Sequence, residues 1–317
     1  MTTELSKKIQ EASENLSTIN DLIRFSVSEF NKNELFFGHG TENSLDDAVA
    51  LVLASLHLPP DLDAAYFQTK ILPSEKKLIL ERIQRRIETR EPVAYLISET
   101  YFAGFHFYVD KRVLIPRSPI AELLEEEFSP WIDGDNIERI LDVGTGSGCI
   151  AIASALYFPT ASVDAIDINP DALAVAQINA DRYDLGDQLR LIQSDLFEKL
   201  TPADKYDVII ANPPYVPSSS MEVLPEEYRH EPTLALDGGP DGLKIVDKIL
   251  VEAINHLTPN GILIVEVGEA QQNLEEKYPN IPFTWLQFNR GGDGIFLLTA
   301  EELKEHHNEI CARAAQA

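Results

Sequence analysis

Sulfur and positive charge are both scarce in this chain. Of its 317 residues only Cys149 and Cys311 are cysteines, and only two are methionines. Two cysteines are too few for a disulfide framework or for a zinc site built from thiolates, so both read as structural. Long apolar runs are missing as well. No stretch approaches the roughly 18 apolar residues of a membrane span, and the polar start MTTELSKKIQEASENLST lacks the apolar core of a secretory leader. The cytosol is the expected compartment. Basic side chains are outnumbered, 26 Lys and Arg against 52 Asp and Glu, which leaves a net charge of −26. A field of that sign disfavours unaided binding to DNA or RNA. One region departs from it: residues 73–117 carry a local +3, so the remainder carries −29. Within that region Arg82, Arg85 and Arg86 read either as a solvated helix face or as a small contact for phosphate or an acidic protein.

What is present is enough apolar matter, 44% of residues, for a large core, and a length that accommodates two domains. Residues 1–98 read as a small helical domain. Leu16, Ile19, Ile23, Val27 and Phe30 recur at three- and four-residue steps, and Ile79, Ile83 and Ile87 form another stripe. Ser44 followed by Asp47 resembles a capping box ahead of Val49, Val52, Leu53 and Leu56. Residues 99–118 read as a β-hairpin linker, YFAGFHFYVDKRVLIP, turning at Asp110-Lys111-Arg112.

From 119 to 317 the rhythm is strand then helix. RILDV (139–143), SVDAID (162–167), LRLIQSD (189–195), YDVIIA (206–211) and GILIVEV (261–267) imply a parallel sheet covered on both faces. Leu243, Val246, Leu250, Ala253 and Leu257 mark the helix before the fifth strand, closed by a turn at Asn260-Gly261. FTWLQF (283–288) and GIFLLT (294–299) are joined by too few residues for a helical crossover and should pair antiparallel. A last helix should begin at Thr299, boxed by Glu302.

Two stretches carry chemistry. LDVGTGSG (141–148) sits at a strand-to-helix turn, where Gly144, Gly146 and Gly148 let a ligand approach the backbone. Asp167 ends the next strand, 19 residues after Gly148, placed to accept from ribose hydroxyls. The spacing G-x-G-x-G with Cys149 departs from the dinucleotide pattern, which argues against a pyrophosphate ligand. Asp195 ends the third strand; it suits either an adenine edge or a helix N-cap. The second stretch is NPPY (212–215). Two prolines without N–H groups leave a turn that exposes acceptors, so the Asn212 side-chain oxygen and the Pro213 carbonyl can each take a hydrogen from a planar N–H₂ group. Pro214 holds that conformation, and the Tyr215 ring can stack on the flat face.

The glycine turn, NPPY and the strand order together resemble the class I methyltransferases that use S-adenosylmethionine. Their fold is a mostly parallel seven-stranded sheet whose last strand is antiparallel. Over almost the whole chain, EPVAYL (91–96), VLIPR (113–117), NPPY and YRHEPTLALDGGPDGL (228–243) resemble the protein-glutamine methyltransferases. FFGHGT (36–41), IPRSPI (115–120) and EYRHEP (227–232) resemble the branch that acts on large ribosomal subunit protein three, free or within a ribosomal precursor. Ser118, Pro119 and Ile120 depart from the IPRPDTE-like turn of the release-factor branch. The resemblance implies S-adenosylmethionine held by Asp142, Gly144, Gly146, Gly148, Asp167, Asp195 and Asn212, a helical domain for substrate recognition, and Arg117 and Glu231 near the substrate entrance. Arg117 equally suits a tie between hairpin and catalytic domain. His39 and His230 read as structural. An adenine amino group has the same planar N–H₂ geometry as an amide, so NPPY alone leaves a nucleic-acid adenine methyltransferase open, as it does a release-factor enzyme. A noncatalytic factor that captures a basic ribosomal protein is a third class, against which the intact NPPY argues.

Overall fold

The computed structural model describes residues 2–316, and these divide into two compact units. The first comprises the residues up to Thr100 together with Val109–Lys111 and Pro225–His230. Its helices are α1 (Thr2–Asn15), α2 (Ile19–Lys32), α3 (Ser44–Ser55), α4 (Pro73–Thr89) and α5 (Val93–Ile97). The expected stripes bury as predicted: Ile19, Ile23 and Phe30 on α2 and Ile79, Ile83 and Ile87 on α4 enter one apolar cluster. The start of α3 differs from the expectation. Asn43, not Ser44, is the N-cap, its Oδ1 accepting from the Leu45 and Asp46 amides at 2.9 and 3.0 Å. Asp47 is thereby free to turn inward.

It turns toward Arg86, the one member of the arginine stripe that the fold buries; Arg85 keeps its side chain 57% exposed, as on a solvated face. Arg86 is 1% exposed. Its Nε donates to Asp47 Oδ2 at 3.1 Å, its two terminal nitrogens to the Arg90 and Phe36 carbonyls, and one of them also meets Glu227 Oε1 at 3.4 Å. Arg82 donates to Ser55 Oγ and Arg85 to Glu91 Oε2, at 2.7 and 2.6 Å. Helical spacing reads the face on which these residues lie, but it is blind to a guanidinium neutralised by carboxylates that are remote in sequence.

Strands β1 (Thr100–Phe102) and β2 (Phe105–Phe107) form a two-stranded sheet. The hairpin turns at Ala103-Gly104, both at positive φ, and not at Asp110-Lys111-Arg112. Two adjacent residues at positive φ match the right-handed twist of the flanking strands.

The second unit is built on a sheet whose elements run α6 (Ile120–Glu125), β3 (Arg139–Val143), α7 (Cys149–Tyr157), β4 (Ser162–Asp167), α8 (Pro170–Arg182), β5 (Leu189–Gln193), β6 (Tyr206–Ala211), α9 (Lys244–Glu252), β7 (Leu257–Glu266), α10 (Gln271–Lys277), β8 (Thr284–Trp285), β9 (Ile295–Thr299) and α11 (Ala300–Ala314). Among the described residues seven strands pair in the order β5-β4-β3-β6-β7-β9-β8, with β9 antiparallel to both its neighbours. Leu257 belongs to β7 rather than to the preceding helix, since α9 gives way to a 3-10 turn at Ala253–Asn255. Thr299 caps α11 as expected, with Glu302 completing the box. One face of the sheet packs Ile140, Val163, Val208 and Ile264 against α6 and α7, the other Leu141, Ile209, Leu263 and Leu298 against α9 and α11.

This strand order creates an opening at one edge of β3. From β3 the chain steps outward through β4 to β5, then returns to place β6 on the other side of β3. Loops leaving the carboxyl ends of β3 and β6 therefore diverge and open a crevice, the position at which doubly wound sheets bind ligands.

Candidate active site

Several segments of the second unit line a cavity of about 200 Å³ in that crevice, Pro232, Leu234, Ala235 and Ile245 among them. The parts that carry polar groups are the 112–118 segment, the loops after β3, β4 and β5, and the turn Asn212–Pro214 after β6.

The loop after β3 is held from behind. The Gly144 and Thr145 amides both donate to the Ile166 carbonyl at 2.9 Å, joining the loop to β4. Asp142 lies beneath it, 1% exposed, accepting Thr145 Oγ1 at 2.6 Å and the Ala151 amide at 3.2 Å. Its other oxygen has no partner among the described residues, and burial pushes its pKa up to about 7. Asp142 thus supports the loop and does not line the cavity. Gly144 and Gly146 do line it, at φ +78° and +56°, and a Cβ on either would meet no atom within 4 Å. Their bare backbone fronts the space. Gly148 serves packing instead, since a Cβ there would lie 3.1 Å from that of Ala176 on α8.

Asp167 ends β4 on the cavity wall. Its oxygens accept the Gly146 amide at 2.9 Å and the Asn169 amide at 2.8 Å, which leaves each oxygen capacity for a further donor. Burial raises its pKa while those amides lower it. Asp195 also lines the cavity. It precedes a 3-10 turn but makes no side-chain cap bond, so its carboxylate is not spent as a helix cap.

The turn after β6 is compressed by glycines. A Cβ on Gly242 would lie 2.3 Å from the Tyr215 carbonyl oxygen, and one on Gly238 2.8 Å from that of Pro214, which accounts for two of the three glycines of LDGGPDGL. Asn212 and Pro213 face the cavity. Tyr215 does not; its hydroxyl donates to Glu266 Oε1 at 2.9 Å and its ring lies against Gly268. Arg117 lines the cavity and holds Glu231 through a two-point contact at 2.7 and 2.9 Å, while the Ile115 amide donates to the same carboxylate at 3.0 Å. Glu231 is buried and outside the lining. His230 lies in the helical unit, in contact with the Thr89 carbonyl. The sequence reading missed Glu266, although it ends the apolar run of β7 just as Asp167 ends that of β4, and that signal was available. It also missed Ser118, whose hydroxyl donates to Glu266 Oε2 at 2.5 Å.

A glycine-backed floor beside a carboxylate suits a nucleoside, and a lining turn that carries the Asn212 amide and two donor-free prolines suits an N–H₂ group. Comparison with known proteins bears on both. A methyltransferase domain model matches residues 135–289. The ribosomal protein uL3 glutamine methyltransferase of Francisella tularensis subsp. tularensis is 47% identical over 95% of this chain and 96% of its own length. The protein of that description from Neisseria meningitidis serogroup B is 50% identical over 92% and 96%. A methyltransferase structure from Pyrococcus furiosus aligns with 72% of this chain and 99% of its own, at 16% identity and a TM-score of 0.43.

Proposed function

We propose, from the premise that the chain belongs to the ribosomal protein uL3 glutamine methyltransferases, that it transfers a methyl group from S-adenosylmethionine to the side-chain amide nitrogen of a glutamine in uL3. The observation that carries this is that the turn Asn212–Pro214 lines the same cavity as the bare Gly144 and Gly146 backbone.

The residues fit the cofactor. Gly144 and Gly146 provide a surface without side chains, and Asp167 keeps free lone pairs for ribose hydroxyls. Asp195 stands available for a polar edge of the base. Asp142 acts on the cofactor only through the loop it supports. When bound, S-adenosylmethionine supplies an activated sulfonium methyl. An amide nitrogen is a poor nucleophile because its lone pair is delocalised, so the protein's task is alignment and electrostatics. Asn212 and the Pro213 carbonyl accept the two amide hydrogens, which raises electron density on nitrogen and aims it at the methyl. No strong base is required, since a proton can leave to water after transfer. Arg117, fixed by Glu231, is a positioning group at the cavity wall, and Tyr215 supports the turn from behind.

The helical unit is the candidate for recognising the substrate chain. Proteins that coat RNA are basic as a class, and a net charge of −26 attracts them while repelling RNA. Arg82, Arg85 and Arg86, the natural candidates for an RNA contact, all bond within the helical unit. Because that net charge repels RNA, we favour free uL3 over a precursor particle as the substrate, met in the cytosol. No helix among the described residues is long and apolar enough to cross a membrane.

The test offers labelled donor with purified uL3, a release factor and DNA. Label in a uL3 glutamine is expected; label only in the release factor or the DNA refutes the reading. Asn212→Ala should lower single-turnover transfer at least a hundredfold at unchanged donor affinity, by loss of alignment.

A further inference from the structure

We propose that Glu266, together with Ser118, is a positioning residue that locks the Asn212–Tyr215 turn through the Tyr215 hydroxyl. The proposal rests on the role of that turn as acceptor of the substrate amide. Glu266 is the last residue of β7 and 6% exposed. Its two oxygens each take one hydroxyl, Oε2 from Ser118 at 2.5 Å and Oε1 from Tyr215 at 2.9 Å. The direction of the first bond is set by its surroundings. Ser118 Oγ already accepts the Ile120 amide at 3.1 Å, so its proton points to the carboxylate. Both donors favour the ionised form, as does the Arg117 charge nearby, against burial, which pushes the carboxyl pKa up.

A buried carboxylate beside an apolar cluster is a poor device for stability alone, because a neutral side chain would fill the space without the desolvation cost. What Glu266 adds is a junction between two segments that line the cavity. Ser118 ends the segment containing Arg117, and Tyr215 closes the segment containing Asn212 and Pro213. Tyr215 is then held at three points. Glu266 takes its hydroxyl. Its ring edge abuts Gly268, where a Cβ would lie 2.6 Å from Cε2, and its carbonyl abuts Gly242. With both ends of the residue fixed, the backbone of the turn cannot rotate, and the acceptors at Asn212 and Pro213 keep one orientation. Misalignment of a reacting group by about 1 Å costs on the order of a hundredfold in rate, so fixing the turn is worth a measurable factor.

The test compares Glu266→Gln, Tyr215→Phe, Ser118→Ala and Ser118→Thr. A glutamine at 266 puts an N–H₂ donor where one of the two carboxylate oxygens stands, so one of the two hydroxyls loses its acceptor. Glu266→Gln should lower kcat for uL3 methylation roughly ten- to hundredfold, the range of a lost hydrogen bond to a charged group, while the donor Kd changes less than about twofold. Ser118→Thr, which keeps the hydroxyl, should retain a rate closer to wild type than Ser118→Ala. Glu266→Gln combined with Tyr215→Phe should be no slower than the slower single variant, since both act through one bond. Hydrogen exchange gives a readout independent of turnover. The Val216 amide, bonded to the Leu236 carbonyl at 2.9 Å, should exchange faster in Glu266→Gln and Tyr215→Phe, while the Gly144 and Thr145 amides stay as in wild type. Additive rate losses, unchanged exchange at Val216, or a fall in donor affinity matching the fall in kcat would each overturn the proposal. Failure of wild type to label uL3 would instead overturn the substrate reading, and the exchange experiment would still decide the role of Glu266.

Discussion

Replacing Arg86 by Met should unfold the helical unit at far lower denaturant than wild type. The guanidinium is 1% exposed and meets two carboxylates, Asp47 and Glu227, that are 3% and 2% exposed. Glu227 keeps Arg90 at 3.6 Å and the Phe36 amide at 2.9 Å, so the group stranded by the substitution is Asp47, left with the Thr41 hydroxyl at 2.6 Å. The Phe36 carbonyl, which accepted at 2.8 Å, is stranded with it. Removing one partner of a buried ion pair costs about 3–5 kcal/mol. With a urea slope of about 1.5 kcal/mol per molar for a unit of this size, the midpoint should fall by about 2 M or more. Far-UV circular dichroism reads the helices. Trp131 and Trp285, the two tryptophans of the chain, lie in the sheet unit and report it by fluorescence. Asp47→Asn added to Arg86→Met should recover at least about 1 kcal/mol, because it removes the uncompensated charge. The pH dependence has a definite sign. Burial already raises the Asp47 pKa and Arg86 opposes that shift, so loss of Arg86 raises it further. A carboxyl whose folded pKa exceeds its unfolded value loses stability as pH rises, so the deficit of Arg86→Met should shrink on acidification from pH 7 toward 5. A midpoint within about 0.5 M of wild type, or no recovery from Asp47→Asn, would refute the argument that this charge cluster holds the unit together.

Two further outcomes concern the cavity wall and floor. Asp167→Ala should weaken S-adenosylmethionine binding about ten- to hundredfold by calorimetry, as expected for loss of a charged hydrogen bond to ribose; an unchanged Kd would remove Asp167 from the site. Asp142→Asn should flatten the pH dependence of stability between about pH 4 and 7, because a buried carboxyl with its pKa pushed up to about 7 destabilises the fold progressively over that window and no further above it; thermal melts of both proteins across the range check this, and parallel curves would contradict it.

The parts of this molecule that were legible in its sequence are those set by local chemistry. Arg139–Val143, Ser162–Asp167 and Tyr206–Ala211 begin and end where the apolar runs do, because a parallel strand buried on both faces admits few polar residues. Thr299 and Glu302 cap α11 because both halves of the box lie within four residues. Legibility failed where two local readings competed. Asp110-Lys111-Arg112 looked like a turn on charge, whereas Ala103-Gly104 supplied the positive φ that the hairpin needed. Ser44 with Asp47 looked like a cap, but the Asn43 side-chain oxygen reached two backbone donors first and Asp47 was drawn to Arg86.

The site divides along the same line, and the division has a physical cause. Gly144, Asp167 and Asn212 were readable because each stands at a strand end and acts through its own backbone or side chain. Glu266, Ser118 and Glu231 act through partners 51 to 148 residues away, and the neutralised Arg86 through partners 39 and 141 residues away. No periodicity encodes such a pairing. A carboxylate at the end of a buried strand does leave a trace, since burial of an ionised group is tolerated only where donors await it. Glu266 in ILIVEV, Asp142 in RILDV and Asp167 in SVDAID share that trace. Three carboxylates at the carboxyl ends of β7, β3 and β4 thus mark one end of the sheet as the place where polar partners converge, before any partner is identified.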